Sequence, residues 1–389
     1  MVRRIMIFAV ISAASFLYAE EEEVREGLLL KQIKVPVSDN NVYLQVGGYV
    51  DAYYAYHTAA KKDFRPAWAG GEAKTGRIFE SGSEQFNLGL IQTKFQIGNN
   101  DWQVVADLVH GPNAEQTNFN NVKLVAVDLN NDGNLDYEEK FSTTSTVIKQ
   151  AYISANVLPN ARLTVGQFGT HIGYEVVETY QNANYMLSYL FGYGPFYHTG
   201  AKLDYDIGGK VGLMAGIVNG WDSYVDNNRE KTAIGQISFP VLSPITLILN
   251  YAGGDEGNGI QHIGDIVFQY DITTALKVGL NLVAGQLDSR SANERQNWGG
   301  AAFYLSFAAS DNLTFSYRGE YYDDLKGVRG LGPVKVQAHT LTTTVSLYDG
   351  HFLIRPEVKY DLADRDFYGV GSETKKDNIS GLIAFIGVY

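Results

Sequence analysis

A twelve-residue run in the first half of the chain has the residue types and spacing of a calcium-binding loop. It reads Asp-Leu-Asn-Asn-Asp-Gly-Asn-Leu-Asp-Tyr-Glu-Glu over 128–139 and fits the EF-hand loop pattern at every position. Calcium prefers oxygen ligands, and a glycine at the sixth position allows the sharp turn of the loop. The predicted ligands are Asp128, Asn130, Asp132, Asn134, Asp136 and Glu139. We therefore predict a structural Ca²⁺ site with the weak affinity of extracellular modules.

An alternative interpretation of this run stays open. Loops rich in Asp, Asn and Gly also form turns without any metal, because these side chains hydrogen-bond to the nearby backbone. Residues 123–127 resemble a strand rather than the helix that usually enters such a loop. The site would thus be a single loop and not one of a pair.

No catalytic constellation is predicted from the other reactive residues. The sequence has no Gly-x-Ser-x-Gly elbow, no HExxH pair and no cysteine. The seven histidines are scattered, although His171 and His198 flank one predicted loop and could approach each other. Lone histidines on strands more often face a lumen or an interface than act as catalysts. We predict that the protein is not an enzyme.

The elements that position these residues are predicted to be β-strands, because apolar and polar side chains alternate with a period of two. Over 352–362 one face carries Phe, Ile, Pro, Val, Tyr and Leu, whereas the other carries Leu, Arg, Glu, Lys and Asp. Similar alternation occurs at 313–321, 276–285 and 44–52. Such strands are typical of a wall between lipid and water. Pro356 removes one ladder hydrogen bond, and we expect a local bulge there.

The connections between these strands alternate strictly between short and long. Tight turns are predicted at 99–101, 159–161, 208–209, 243–244, 273–274, 310–312 and 349–350. Longer polar or Gly-rich loops are predicted at 58–84, 111–146, 174–199, 222–231, 253–260, 287–297, 325–333 and 363–377. Seven turns and eight loops imply sixteen strands. The predicted fold class is therefore all-β, a transmembrane antiparallel barrel with short periplasmic turns and long external loops.

Both ends of the chain favour export to the outer membrane of a Gram-negative-type bacterium. Arg3 and Arg4 precede an apolar run that is too short to span a bilayer, so residues 1–19 are predicted to be a signal peptide. Residues 20–41 are expected to form a periplasmic segment, with the barrel at 42–389. The last strand ends on Tyr389, and a terminal aromatic is typical of the strand that closes such a barrel. Membrane lipid is the expected partner.

The charge balance argues against nucleic acid as a partner. Without Arg3 and Arg4, 29 basic residues remain against 43 acidic ones, which gives a net charge of −14. An acidic surface repels phosphate backbones, and it favours cations weakly. The 26 Tyr and 41 Gly, against 9 Pro, suit strands with interfacial aromatics and tight turns.

The segment 165–205 resembles outer-membrane porins of the OmpL-like β-barrel family. The resemblance rests on a Gly-x-Phe-Gly strand end, a Gly-x-Glu, an Asn-rich stretch and a Phe-Gly…Pro-Phe-x-His-Thr-Gly entry to the next strand. These positions are Gly166, Phe168, Gly169, Gly173, Glu175, Asn182, Asn184, Phe191, Gly192, Pro195, Phe196, His198, Thr199 and Gly200. The spacer Tyr193-Gly194 is one residue shorter than in many versions of the motif. The resemblance implies passive diffusion through a barrel, without naming a solute.

We expect a porin that passes small hydrophilic solutes or ions. By analogy with other porins of this size, a homotrimer is the expected assembly. The alternative is a non-transporting surface barrel, an adhesin or structural protein, with a calcium-stabilised loop. Inward rows of opposite charge are predicted to line the pore: Arg318, Glu320, Arg355, Glu357, Lys359 and Asp361. Sixteen strands leave room for water inside the barrel.

The third external loop, 173–198, is a candidate constriction that folds into the lumen. Its tyrosines each pair an apolar ring with a hydroxyl, which suits a wet interior. The residues expected to shape the constriction are Glu175, Glu178, Tyr180, Tyr185, Tyr189, Phe191 and Tyr193. Because only Glu175 and Glu178 carry charge, we expect a nearly neutral opening with a mild preference for cations. The alternative is that these aromatics belong to the external girdle.

Overall fold

The structure, a computed structural model, describes residues 31–34, 42–59, 73–74, 76–80, 82–117, 123–127, 136–140, 147–226, 228–242, 244–370 and 373–389. The segments 1–19 and most of 20–41 lie outside these residues. Within 20–41, a short strand at Lys31–Lys34 pairs with Tyr43–Val46. None of the helices among the described residues has the length and apolar character needed to cross a membrane.

Sixteen antiparallel strands follow one another along the chain, and each pairs with its sequence neighbours. The first eight are β1 (Tyr43–His57), β2 (Gln85–Gly98), β3 (Trp102–His110), β4 (Ile148–Leu158), β5 (Ala161–Gly169), β6 (Tyr197–Ile207), β7 (Val211–Val218) and β8 (Thr232–Leu242). The others are β9 (Ile245–Asp255), β10 (Gly259–Asp271), β11 (Leu276–Ser289), β12 (Glu294–Ser310), β13 (Leu313–Asp323), β14 (Lys335–Leu347), β15 (Phe352–Ala363) and β16 (Asp377–Val388). The predicted number of strands is confirmed.

The last strand closes the sheet into a barrel. β16 pairs with β15 on one side and with β1 on the other, from Tyr49 opposite Val388 to His57 opposite Ser380. Beyond the end of β16, the backbone of Tyr389 exchanges two 3.0 Å hydrogen bonds with Gly48. Closure leaves no unpaired edge, which is the condition for a sheet to exist in lipid.

The two faces of the wall differ as the period-two pattern predicts. Outward side chains such as Phe303, Phe315 and Leu341 are exposed, whereas their strand neighbours Arg318, Thr340 and Ala302 are buried. The bulge expected at Pro356 is absent, because the register between β15 and β16 runs unbroken from Phe352 to Leu362. On the other side of β15, residues 355–356 form no pairs with β14. Proline, which has no backbone N–H to donate, fits this gap in the ladder.

The seven predicted turns fall between consecutive strands at one end of the barrel, the turn end, although Ser243 of the fourth turn lies outside the described residues. The connections at the other end, the loop end, vary in length. Two are shorter than predicted, at 256–258 and 290–293, because the strands continue through the Gly-rich stretches. Gly254 is paired with Gln261, and a Cβ on Gly254 would lie 2.5 Å from Thr232 Cα. Glycine there permits a close approach of backbones and does not interrupt the strand.

Candidate functional site in the barrel interior

The connection between β5 and β6, residues 170–196, lies inside the barrel and is called the inserted loop below. Its short elements are a 3₁₀ turn at Thr179–Gln181 and α2 at Tyr189–Gly192 (α1, Pro112–Thr117, follows β3). The Ser188 hydroxyl caps α2 by accepting a 3.0 Å hydrogen bond from Phe191 N. Tyr185 and Met186 are completely buried. The loop therefore packs as part of the core.

Five successive backbone N–H groups of the inserted loop donate hydrogen bonds to acidic side chains. One of these side chains belongs to the loop itself, and the others belong to the rest of the barrel. Where the acid is ionised, such charge-assisted bonds are stronger than those between neutral groups. The donors and acceptors are Tyr185 and Met186 to Glu357 (2.6 and 2.8 Å), Leu187 to Glu80 (3.3 Å), Ser188 to Glu175 (2.8 Å) and Tyr189 to Glu320 (2.8 Å). The conformation of 185–189 thus depends on the acidic side chains that accept hydrogen bonds from its backbone.

Two arginines of the barrel wall bind the carbonyl groups of the same loop. The Arg355 guanidinium donates to the carbonyls of Thr179 (2.6 Å), Tyr180 (3.1 Å) and Asn182 (3.1 Å). Arg318 donates to the Met186 carbonyl at 2.8 Å. With both N–H and C=O groups bound, this irregular backbone satisfies its hydrogen bonds away from water.

Ion pairs connect these groups into one buried network. Arg318 pairs with Glu175 at 2.6 Å and with Glu320 at 3.4 Å. Lys359 lies 3.4 Å from both Glu320 and Asp361. Mutual pairing compensates for the desolvation of each charge, and the loss of any one partner leaves another charge buried without compensation.

The six residues predicted to line the pore face the interior, but the inserted loop and Arg77 of the β1–β2 connection cover them. Their exposed fractions run from 0 to 5% for Arg318, Glu320, Arg355, Glu357, Lys359 and Asp361. They therefore do not border open water, contrary to the sequence-based expectation. The alternation of the strands predicts which face a side chain occupies, but it does not predict what packs against that face.

The charged and aromatic residues of the predicted constriction are all part of this packing. Glu175 pairs with Arg318, and Glu178 pairs with Lys149 and accepts from Gln92 at 2.9 Å. The aromatic contacts are Tyr180 on Tyr49 (ring centroids 4.9 Å), Tyr185 OH to Asp51 (3.0 Å), Tyr189 OH to Tyr368 OH (3.2 Å), Tyr193 OH to the Gly76 carbonyl (3.0 Å) and Phe191 on Phe79 (5.9 Å). Both acids are thus neutralised by a cation.

Residues 77–80, in the connection between β1 and β2, also enter the interior, and sequence reasoning missed them. The Arg77 guanidinium binds Asp361 at 2.8 Å and Ser380 at 3.0 Å. The Glu80 carbonyl lies 2.9 Å from His57 Nε2, while its carboxyl accepts from the inserted loop. The only available sequence signal was the apolar pair Ile78-Phe79 within a polar loop.

The mouth at the loop end contains a second cluster that the sequence did not indicate. The Arg329 guanidinium lies over the rings of Trp221 (4.6 Å) and Trp298 (5.5 Å), and it donates to the Tyr193 carbonyl at 2.8 Å. Tyr193 in turn stacks on Tyr322 at 5.4 Å. The hydrogen bond to Tyr193 thus ties the loop 324–334 to the inserted loop, and the cation–π contacts tie it to Trp221 and Trp298.

Polar side chains on the inner face of β2 and β4–β6 remain partly exposed. Lys94 lies on the face opposite the outward Phe95, and Lys149 and Lys202 keep 17% and 19% of their side chains exposed. Lys202 pairs with Asp204 at 3.1 Å, and Asp204 is 20% exposed. Water therefore reaches the interior along this side of the barrel.

His171 and His198 do approach each other, with ring centroids 5.6 Å apart. His198 is bound on both sides, through the Gly220 carbonyl (3.1 Å) and Thr170 Oγ1 (3.1 Å), and His171 Nε2 binds the Tyr251 carbonyl (2.9 Å). Burial and the nearby His198 lower the pKa of His171 to about 3, so His171 is neutral. In the part of the chain that the structure describes, no three His, Asp or Glu side chains are grouped as metal ligands.

The predicted calcium ligands Asp128, Asn130, Asp132 and Asn134 lie outside the described residues. The last part of the run belongs to a strand, Asp136–Lys140, that pairs with Lys123–Val127 as a hairpin. Asp136 and Glu139 are in this strand, where the backbone is extended.

Comparisons with known proteins agree with this architecture. A family model described as "Putative beta-barrel porin-2, OmpL-like" matches residues 43–387. The chain is similar to OmpT of Vibrio cholerae (TM-score 0.56, 8% identity), with 91% of this chain and 99% of that one covered. It is also similar to an anion-selective porin from Comamonas acidovorans (0.53, 11%; 90% and 100%) and to the outer-membrane channel DcaP of Acinetobacter baumannii (0.52, 14%; 90% and 97%). A comparison with curated proteins gave no match.

Proposed function

The chain belongs to the OmpL-like family of β-barrel porins, and from this premise we propose that it is a passive diffusion channel for small hydrophilic solutes and ions. Its family and its closed barrel locate it in the bacterial outer membrane. The observation that carries the proposal is a sixteen-stranded barrel with partly exposed polar side chains, among them Lys202 and Asp204, on its inner face. A barrel of this size leaves an aqueous lumen.

The inserted loop is proposed to be the constriction. Its anchoring to Arg318, Arg355 and Glu357 supports this role, because the loop occupies cross-section that would otherwise be open. We expect deletion of 183–193 to raise the single-channel conductance of the folded protein in a planar bilayer. Deletion of the exposed hairpin residues 291–293 is the matched control and should leave the conductance unchanged. Equal conductance of both deletion variants and the parent would contradict the proposal.

The ion preference of this channel is proposed to be close to neutral and at most mildly in favour of cations. The net charge favours cations, but Glu175 and Glu178 are each paired with a basic residue. Lys94, on the more exposed side of the interior, opposes a strong cation preference. A reversal potential measured across a salt gradient checks this balance, and a steep preference for either ion would contradict it.

A second candidate role is a non-transporting surface barrel. It is favoured by the depth to which loop residues such as Arg77, Tyr193 and Arg329 fill the loop end of the barrel. Folded protein that shows no conductance in any bilayer would support this role over the porin.

Assembly into a homotrimer and calcium binding at 128–139 are further parts of the proposal. Support for a trimer comes from the fold, since one similar structure is the trimer form of OmpT of Vibrio cholerae, at 10% identity. Support for calcium comes from the ligand pattern alone. Light scattering of the detergent-extracted protein tests the first.

A further inference from the structure

Segment 77–80 contacts the inserted loop at several points. Phe79 packs on Phe191 and Phe196, with ring centroids 5.9 and 5.6 Å apart. Arg77 donates to Met186 Sδ at 2.6 Å while it pairs with Asp361 of the wall. The segment thus connects the inserted loop to strand β15.

Glu80 makes the longest contact among the acidic side chains that bind 185–189. Its side chain is 2% exposed, and among the described residues its carboxyl accepts a hydrogen bond only from Leu187 N, at 3.3 Å, the longest of the five. The second oxygen, Oε1, has no hydrogen-bond partner among the described residues. An ionised carboxylate with an unsatisfied buried oxygen is unfavourable, whereas a neutral carboxyl group is tolerated.

Charged groups of its own segment and of two barrel strands surround Glu80. Arg77 lies on its own segment, Glu357 on β15, and Asp51 on β1. Tyr53 and His57 of β1 and Tyr185 of the inserted loop also face it. Burial raises the pKa of Glu80 to about 8, the charges of Glu357 and Asp51 add to this effect, and Arg77 and the Leu187 amide oppose it.

We propose that residues 77–80 form a latch that holds the inserted loop in the constricting position, and that ionisation of the Glu80 carboxyl releases it. The inference rests on the proposed channel function and adds a regulation of the same site. Release means that 77–80 separates from 185–193, so that Glu80 becomes solvated and the lumen widens.

The sign of the pH dependence follows from proton linkage. In the latched state Glu80 keeps its proton up to about pH 8, whereas in a released, solvated state it ionises near its ordinary value, about 4.3. The proton therefore stabilises the latched state fully below the ordinary value, and this stabilisation is lost progressively as pH rises to about 8. One proton changes the ratio of released to latched channels by at most about tenfold per pH unit.

The first test compares channel conductance between pH 5 and 9 for the parent protein, Glu80→Gln and Glu84→Gln. Gln mimics the neutral carboxyl, so Glu80→Gln should remove the rise in mean conductance that the parent shows up to about pH 8. Glu84 is exposed on the same connection, and Glu84→Gln should behave like the parent. Identical pH profiles for the parent and Glu80→Gln would overturn the latch.

A reversible lock provides a second test that does not depend on titration. A Cβ on Gly192 would lie 3.8 Å from Ile78 Cβ, which is within the range of disulfide-bonded cysteines, and the chain has no cysteine of its own. The oxidised Ile78→Cys/Gly192→Cys protein should stay at low conductance at every pH, and reduction should restore the parent profile.

The outcomes distinguish failure of the latch from failure of the channel function. If the parent and the reduced double-cysteine protein conduct but the oxidised form responds to pH in the same way, the latch is wrong and the channel stands. If no form conducts at any pH, the proposed function fails, and the latch fails with it.

Discussion

At the scale of single residues, the buried interior charges of this barrel bind the inserted loop and are not free to contact a solute. Arg318 shows this most clearly, because it binds Glu175, Glu320 and the Met186 carbonyl while it is completely buried. Under the proposed channel function, selectivity is expected to depend on residues that stay partly exposed, such as Lys94 and Lys202. A charge that is predicted from sequence to face the lumen is not by itself a charge in the ion path.

Replacement of Arg318 by Met is expected to loosen the inserted loop. It leaves Glu175 and Glu320 short of a partner, and breaking a buried pair costs about 3–5 kcal/mol. Limited proteolysis of the folded protein should then cut within 170–196. The control is Arg295→Met, which removes an exposed pair with Asp288 and should cost about 0–1 kcal/mol. Equal resistance of all three proteins to proteolysis would argue against the anchoring role.

At the scale of elements, the strands obey local rules, whereas the connections depend on what they contact. The turns at 99–101 and 159–160 are local, and both join the strands predicted to flank them. The stretches at 253–260 and 287–297 were predicted as loops from composition, but they extend hairpins because neighbouring strands continue alongside them. Pro356 produces no bulge for a similar reason, since its partner Ile383 keeps the register.

The calcium-loop pattern at 128–139 predicts how one connection between strands responds to Ca²⁺. We expect Ca²⁺ to protect the connection between β3 and β4 from proteases, since a loop bound to a cation through carboxylates loses conformational freedom. Chelation, or Asp128→Ala combined with Glu139→Ala, should raise cleavage there several-fold and leave the β-sheet circular dichroism unchanged. Cleavage that is independent of Ca²⁺ would exclude the site.

At the scale of the whole molecule, the closed barrel gives its two ends different roles. All short turns are at one end, and the inserted loop and segment 77–80 enter from the other. Such asymmetry suits a barrel whose turns face the periplasm and whose loops face outward.

This orientation is testable with single cysteines, since the chain has none. Asn258 lies exposed in the β9–β10 connection, and Thr274 lies exposed in the turn between β10 and β11. Asn258→Cys should react with a membrane-impermeant maleimide on intact cells, whereas Thr274→Cys should react only after the outer membrane is permeabilised. The opposite pattern would show that the barrel is inserted the other way.

The sequence by itself determined the barrel: its strand number, its turns and the inward or outward face of the side chains in its most regular strands. Those features depend on period-two alternation and turn chemistry, which act over a few neighbouring residues. Only the tertiary structure decided which interior charges are covered. Glu357 meets Tyr185, and Arg77 meets Asp361, across separations of 172 and 284 residues. Such contacts follow from how a folded loop fills the lumen, and no local pattern encodes them.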